Sequence, residues 1–403
     1  MNAASLPGQL SRLPLEFHEE LVAIADWWLK HTVDNEQGGF YGEVGADNLP
    51  THNASKGIIL NSRILWFFSE AARELKSDEY RQAAKRAYDY IANYFFDKEH
   101  GGVYWELDAQ GNPINTKKQV YAQAFTIYAF TAYYQLTQNP QVLEQALECF
   151  ELLESKTIDC KREGYLEAFT REWGVIEDVR LSEKDLNFPK SQNTHLHVLE
   201  AYTTLNQVNP TPEVAAALRY NIELFDKYMI DKDTYHLRMF LDHDWNDHSP
   251  GFTYGHDIEA SWLIAKALES LGDEAYTKTL MPTLIKIAEV TLTEGIGVHG
   301  HVIDAYDFAT KQHLPDIVWW VQAEALVGFL FAYSETKDGK YLHAAETIWE
   351  FIKKFQMDKQ NGEWHWLANM GNQYINSYYK VGFWKCPYHN GRAMMEAAHY
   401  LAK

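Results

Sequence analysis

The chain reads as an all-α protein, an (α/α)6 barrel with short β-hairpins at one end. Two observations predict it. A turn followed by a few alternating apolar residues recurs along the chain, and amphipathic helical stretches fill the intervals. The recurrences are DNEQGGFYGEV from Asp34, DKEHGGVYWEL from Asp97, EGYLEAFTREW from Glu163, DTYHLRMFLDHDW from Asp233, GVHGHVID from Gly297 and QNGEWHWLAN from Gln360. Each is a turn signal leading into period-two alternation, the pattern of a short strand or hairpin. They are spaced by roughly 60 to 70 residues, and a steady period marks a repeat architecture.

The helical stretches follow in order: RILWFFSEAARELK, YRQAAKRAYDYIANYFF, AQAFTIYAFTAYYQL, VLEQALECFELLE, THLHVLEAYTTLNQ and QAEALVGFLFAYSE. Their apolar residues recur three and four apart, as on one face of a helix. Roughly two helices fit between successive hairpins, and six helix pairs close most compactly as a barrel. A sheet-and-helix fold needs longer β-branched strands between single helices, and these are missing. No Pro-, Gly- or Ser-rich linker divides the chain, so residues 1–403 are expected to form one domain.

Composition narrows the function. Of 403 residues, 46% are hydrophobic and 14% aromatic, with 13 Trp and 25 Tyr, enough for a large core and for aromatic platforms under a ligand. A net charge of −20 argues against nucleic acid and anionic membrane as partners. Cys149, Cys160 and Cys386 imply no disulfide framework and fit a reducing compartment. The start MNAASLPGQLSRLPLEFHEEL lacks the basic-then-apolar pattern of a secretory signal, and no run of about 18 apolar residues spans a membrane. A cytoplasmic protein is the expectation.

The stretch GHDIEASW (255–262) sets a His, an Asp, a Glu and a Trp at the start of an apolar helix. On a helix His256 and Glu259 share a face, so Glu259 can reach the ring of His256. The plain structural alternative is that Asp257 caps the helix and His256 is a satisfied core histidine. Similar polar residues begin other apolar helices: Arg63 in NSRILWFF, Asn193, His197 and Glu200 in QNTHLHVLEAY, Trp319, Trp320 and Glu324 in WWVQAEAL, and His389 in GFWKCPYHNGRAMMEAA. In a barrel these helix starts meet around one pocket. His195 and His197 are two apart and diverge by about 200° on a helix, so they cannot share a zinc ion. Glycoside hydrolysis needs two opposed carboxylates. A site rich in His with supporting Glu favours proton transfer near neutral pH.

These segments, with GGFYGEV, KGIILNSRILWFFSEAAR and YAQAFTIYA, resemble the N-acylglucosamine 2-epimerase superfamily, most closely its cellobiose 2-epimerase branch. The resemblance runs from about residue 38 to about residue 393 and itself implies an (α/α)6 barrel. It implies interconversion of glucose-type and mannose-type reducing ends at C2, with no metal, nucleotide or other cofactor. By resemblance His256 and His389 remove and return the C2 proton, His197 assists ring opening, and Arg63 holds O1 and O2. Glu259 is implied to orient a catalytic His, with Glu324 a similar carboxylate. Asn193, Tyr121, Trp384 and either Trp319 or Trp320 are implied to bind sugar, and Trp262 to pack the helix.

A small-molecule sugar is the expected partner, and the chain is expected to be a monomer or homodimer. Disaccharide binding needs an aromatic floor beyond the first ring, which Trp245 can supply or fill. Lys380 and the pair Tyr378–Tyr379 are read as shaping the rim. A mannose 2-epimerase or an aldose–ketose isomerase of the same family is the alternative. An inverting glycosidase and a sugar-binding protein without chemistry are the readings from other classes. An N-acylamino sugar is disfavoured, because the chain has no Gly-rich phosphate loop.

Overall fold

The computed structural model describes residues 12–371 and 377–403. The start of the chain read for a secretory signal therefore lies partly outside the described residues. Among those described, twelve α-helices alternate between an outer and an inner ring. The outer ring is α1 (Leu13–Thr32), α3 (Asp78–Tyr90), α5 (Pro140–Lys156), α7 (Pro212–Leu224), α9 (Glu274–Glu294) and α11 (Gly339–Phe351). The inner ring is α2 (Ile58–Glu74), α4 (Val120–Thr137), α6 (Gln192–Val208), α8 (Tyr254–Leu271), α10 (Trp319–Thr336) and α12 (His389–Ala402). Each inner helix packs on the next, α12 returns to α2, and α1 covers α12. The ring closes as an (α/α)6 barrel.

The rings differ in sequence for a physical reason. Inner α4 is buried without a break from Val120 to Tyr133 and carries no charge, as a helix walled on all sides must. Outer α5 buries a single stripe, Val142, Ala146, Cys149, Phe150 and Leu153. Five of the six outer helices begin with side-chain caps: Ser77, Asn139, Thr211, Asp273 and Asp338 each accept from a backbone N–H of the first turn. Helices α3, α7 and α11 end in a π-helical turn, at Ile91–Phe95, Phe225–Met229 and Ile352–Gln356. Among the described residues, no helix is long and apolar enough to cross a membrane.

All six expected hairpins form, closed by the pairs Val33–Phe40, Phe96–Val103, Ile158–Tyr165, Ile230–Leu237, Ile296–Val302 and Met357–Trp364. Short antiparallel strands lead into inner helices: β1 (Lys56–Gly57) into α2, β2 (Lys118–Gln119) into α4, β3 (Lys190–Ser191) into α6 and β4 (Gly251–Thr253) into α8. The inner helices therefore start at the hairpin end.

A repeated ion pair fixes this layer. Asp34, Asp97, Asp159, Asp231 and Asp358 each accept from backbone N–H groups two and three residues on. Each then pairs with a cation: Lys56 at 2.8 Å, Lys118 at 3.0 Å, Lys190 at 3.4 Å, Arg238 at 2.8 Å and Lys380 at 2.8 Å, in that order. Lys380 is thus a buried strut rather than a rim residue, and Tyr378 and Tyr379 pack on Trp366.

Candidate active site

His256 is the third residue of α8, and Gly255 before it explains how the ring is approached. A Cβ on Gly255 would lie 2.6 Å from the indole of Trp320. Without it, Trp320 settles beside His256, with ring centres 4.7 Å apart, and also beside His389 at 5.4 Å. One indole thus neighbours both imidazoles. Trp319 turns the other way, packing on Trp366 at 4.4 Å under Lys385. Of the two, Trp320 is the one that lies beside the histidines.

His256 Nδ1 is 2.5 Å from the hydroxyl of Thr253. Burial, helped by the nearby His197, pulls its pKa down to about 3. His389 opens α12, and its Nδ1 lies 2.6 Å from Glu324 Oε1. Burial, then Arg63 and Arg392, hold His389 well below the usual histidine range. Glu324 is pushed well above the usual carboxyl range by burial, which its bond to Arg392 does not offset. His197 Nδ1 meets Glu200 at 3.0 Å, and burial keeps this imidazole low as well. All three rings are neutral near pH 7, as a base must be.

Arg63 supplies fixed positive charge. Its guanidinium donates to Tyr121 Oη at 2.8 Å and lies over Phe125 at 4.3 Å and Tyr388 at 4.5 Å. Its Nε has no acceptor among the described residues. Tyr121 in turn packs on His197 at 4.9 Å and on Trp384 at 6.1 Å, tying Trp384 to the same wall. Asn193 joins His256 along a narrow cleft of about 50 Å³ that Leu181, Asp185 and Leu186 overhang.

The sequence profile of N-acylglucosamine 2-epimerase (GlcNAc 2-epimerase) matches residues 39–393. The chain belongs to this family of carbohydrate epimerases. It is 42% identical to the cellobiose 2-epimerase of Bacteroides fragilis, across 95% of this chain and 98% of that one. It is 39% identical to a Ruminococcus albus cellobiose 2-epimerase, across 94% and 97%. The solved cellobiose 2-epimerase of Bacillus thermoamylovorans superposes with a TM-score of 0.91 at 38% identity, covering 96% of this chain and 99% of that chain.

Three details of this epimerase differ from what the residues suggested. Glu259 does not bond His256. It bonds Arg392, because the same helical face also looks across the barrel to α12. Trp245 is not a sugar platform. It sits at a left-handed turn position (φ 65°), donates to the Arg162 carbonyl at 2.6 Å, stacks on Tyr228 at 4.2 Å and is capped by Lys190. Asp257 does not cap α8. It accepts from Leu237 N–H at 2.8 Å and lies 2.7 Å from His236 Nδ1, holding a hairpin. His195 does likewise, accepting from Tyr165 N–H at 3.0 Å, while His197 turns to Glu200, as their angular separation requires.

The sequence reading missed Arg392. It is 1% exposed, lies over Trp262 at 4.7 Å, and bonds Glu200, Glu259, Glu324 and the Tyr388 hydroxyl. An arginine three residues after His389, on a helix continuing AMMEAA, was the available signal. Glu259, Glu324 and His389 present donor atoms within 4.8 Å of one another, a grouping of metal-ligand type. Here the Arg392 guanidinium already bonds both carboxyl side chains.

Proposed function

We propose that this protein is a cellobiose 2-epimerase, converting cellobiose to glucosyl-mannose through C2 proton removal and return. The observation that carries the reading is the pair of buried neutral imidazoles, His256 and His389, beside the single indole of Trp320. A C2 proton beside an aldehyde is weakly acidic, and its removal leaves an enediolate with charge on O1 and O2. Arg63 faces that charge; stabilisation of developing charge is often the largest catalytic contribution. Inversion needs a base on one side of C2 and an acid on the other, and the two histidines take these roles in turn.

Glu324 holds the far nitrogen of His389, fixing its tautomer and sharing its proton. Thr253 does the same for His256. His197, held by Glu200, attends the anomeric oxygen during ring opening. Tyr121, Asn193, Trp320 and Trp384 cradle the reducing sugar, with aromatic faces against its C–H surfaces. The whole chain acts as one catalytic domain, a reading supported by the packing of the last helix on the first inner one. A cytoplasmic location goes with it, since Cys149, Cys160 and Cys386 are free thiols.

The narrow cleft beside Asn193 favours a second reading, a 2-epimerase of free mannose and glucose. Incubation with cellobiose, and separately with mannose, in D2O followed by proton NMR tests both. Glucosyl-mannose carrying deuterium at C2 is expected from cellobiose. Interconversion of mannose and glucose alone would move the assignment to the monosaccharide. No C2 exchange with either sugar would remove the roles given to His256 and His389.

A further inference from the structure

A second cavity approaches the site from the opposite end of the barrel. It holds about 230 Å³ and opens among the C-terminal halves of α2, α4, α6, α8 and α12. Its rim charges are paired: Glu70 with Arg73, Glu396 with Lys266 and Glu74 with His399. Glu200, Arg392 and Trp262 also line it. Two donors among these, Arg392 Nε and Trp262 Nε1, have no acceptor among the described residues, though both side chains are 1% exposed. Buried donors of this kind are met by water. The chamber is several times the roughly 30 Å³ share of one water molecule.

We infer that this chamber holds water and serves as a rear proton port, through which Glu200 passes protons between His197 and solvent while sugar fills the hairpin end. The inference rests on the epimerase reading. When the hemiacetal opens, the C1–O5 bond breaks and its electron pair goes to O5. The O1–H bond breaks and its pair completes C1=O1. His197 Nε2 takes the O1 proton while its Nδ1–H passes a proton to Glu200, and chamber water takes it from there. The ring then gives its Nε2–H proton to O5, and one returns from the chamber through Glu200 to Nδ1. Arg392 and Trp262 do not titrate here; their N–H groups orient the water.

Glu200 is fit for this task despite its low pKa. Burial opposes its charge, but Arg392, His197 and Tyr388 outweigh that and hold it at about 2. Its carboxylate therefore takes a proton only in passing, between the His197 ring at 3.0 Å and the chamber it lines.

The test fills the chamber. Thr204→Met and Thr203→Met each put an unbranched apolar chain into its wall. The readout is enzyme-catalysed exchange between the α and β anomers of cellobiose by NMR, which needs ring opening but no C2 chemistry. Both variants are expected to lose about tenfold or more in this rate, with KM within about twofold and melting temperature near the parent's; Glu200→Gln should lose as much. An unchanged anomer rate in either folded variant overturns the port, as does absence of anomer exchange in the parent protein. Unchanged anomer exchange with intact C2 exchange sinks the port alone. Loss of C2 exchange in the parent sinks the epimerase reading instead.

Discussion

His195 and His197 stand two residues apart on α6 and do unrelated work. His195 is completely buried and satisfied, with Nε2 accepting from Tyr165 N–H at 3.0 Å and Nδ1 at 2.7 Å from the Ser191 carbonyl. Gln123 on α4 and Gln322 on α10 hold the corresponding hairpins, accepting from Val103 and Val302 N–H at 2.8 Å each. His195→Gln should therefore keep kcat within about threefold, whereas His197→Gln should lose about 100-fold or more, since only His197 meets Glu200 and Tyr121. Steady-state rates on cellobiose decide it, and a dead, folded His195→Gln would contradict the structural role. The helical period separated these two residues from sequence alone. It did not assign Glu259, because a helix face shows which residues share a side and not which residue waits across the barrel.

At the scale of elements, the hairpin layer is held by side chains as much as by its two- and three-residue strands. Lys56 and Asp34 are each 1% exposed and 2.8 Å apart. Lys56→Met would leave the Asp34 carboxylate buried with only the backbone N–H groups of Glu36 and Gln37. The loss should be about 3 kcal/mol in urea unfolding, because breaking one side of a buried pair strands the other charge. The double change Lys56→Met with Asp34→Asn should recover part of it. A single variant within about 0.5 kcal/mol of the parent would make the pair ornamental. The hairpins and helix pairs were legible because turn residues and 3.6-residue periodicity are local signals. The Asp–cation struts and the π-helical turns were not, since a strut depends on a partner 7 to 31 residues away and a π-turn on how a helix end meets the next hairpin.

For the whole molecule, closure of the barrel gathers the site from every inner helix: Arg63 from α2, Tyr121 from α4, His197 and Glu200 from α6, His256 and Glu259 from α8, Trp320 and Glu324 from α10, and His389 and Arg392 from α12. That gathering sets the pH dependence. On the proposed roles the base is a neutral imidazole, and burial together with Arg63 and Arg392 keeps His389 far below the ordinary 6.5, while His256 sits at about 3. As pH falls from 7 through 6 these rings stay neutral, so kcat/KM should hold level and fall only below about pH 5. Glu324 runs the other way. Burial raises its pKa, so it keeps a proton next to His389 to higher pH than an ordinary carboxyl and loses it as pH rises; on the proposed roles the alkaline limb is this loss of acid. Glu324→Gln cannot titrate; whatever rate it retains should show the same acid limb and no alkaline limb from this carboxyl. Initial rates on cellobiose between about pH 4.5 and 9.5 measure the alkaline limb and show whether the acid side stays level down to about pH 5. An acid limb centred near 6.5 would mean that the histidines titrate as exposed groups, contrary to their burial. An alkaline limb unchanged in Glu324→Gln would move the acid to another residue.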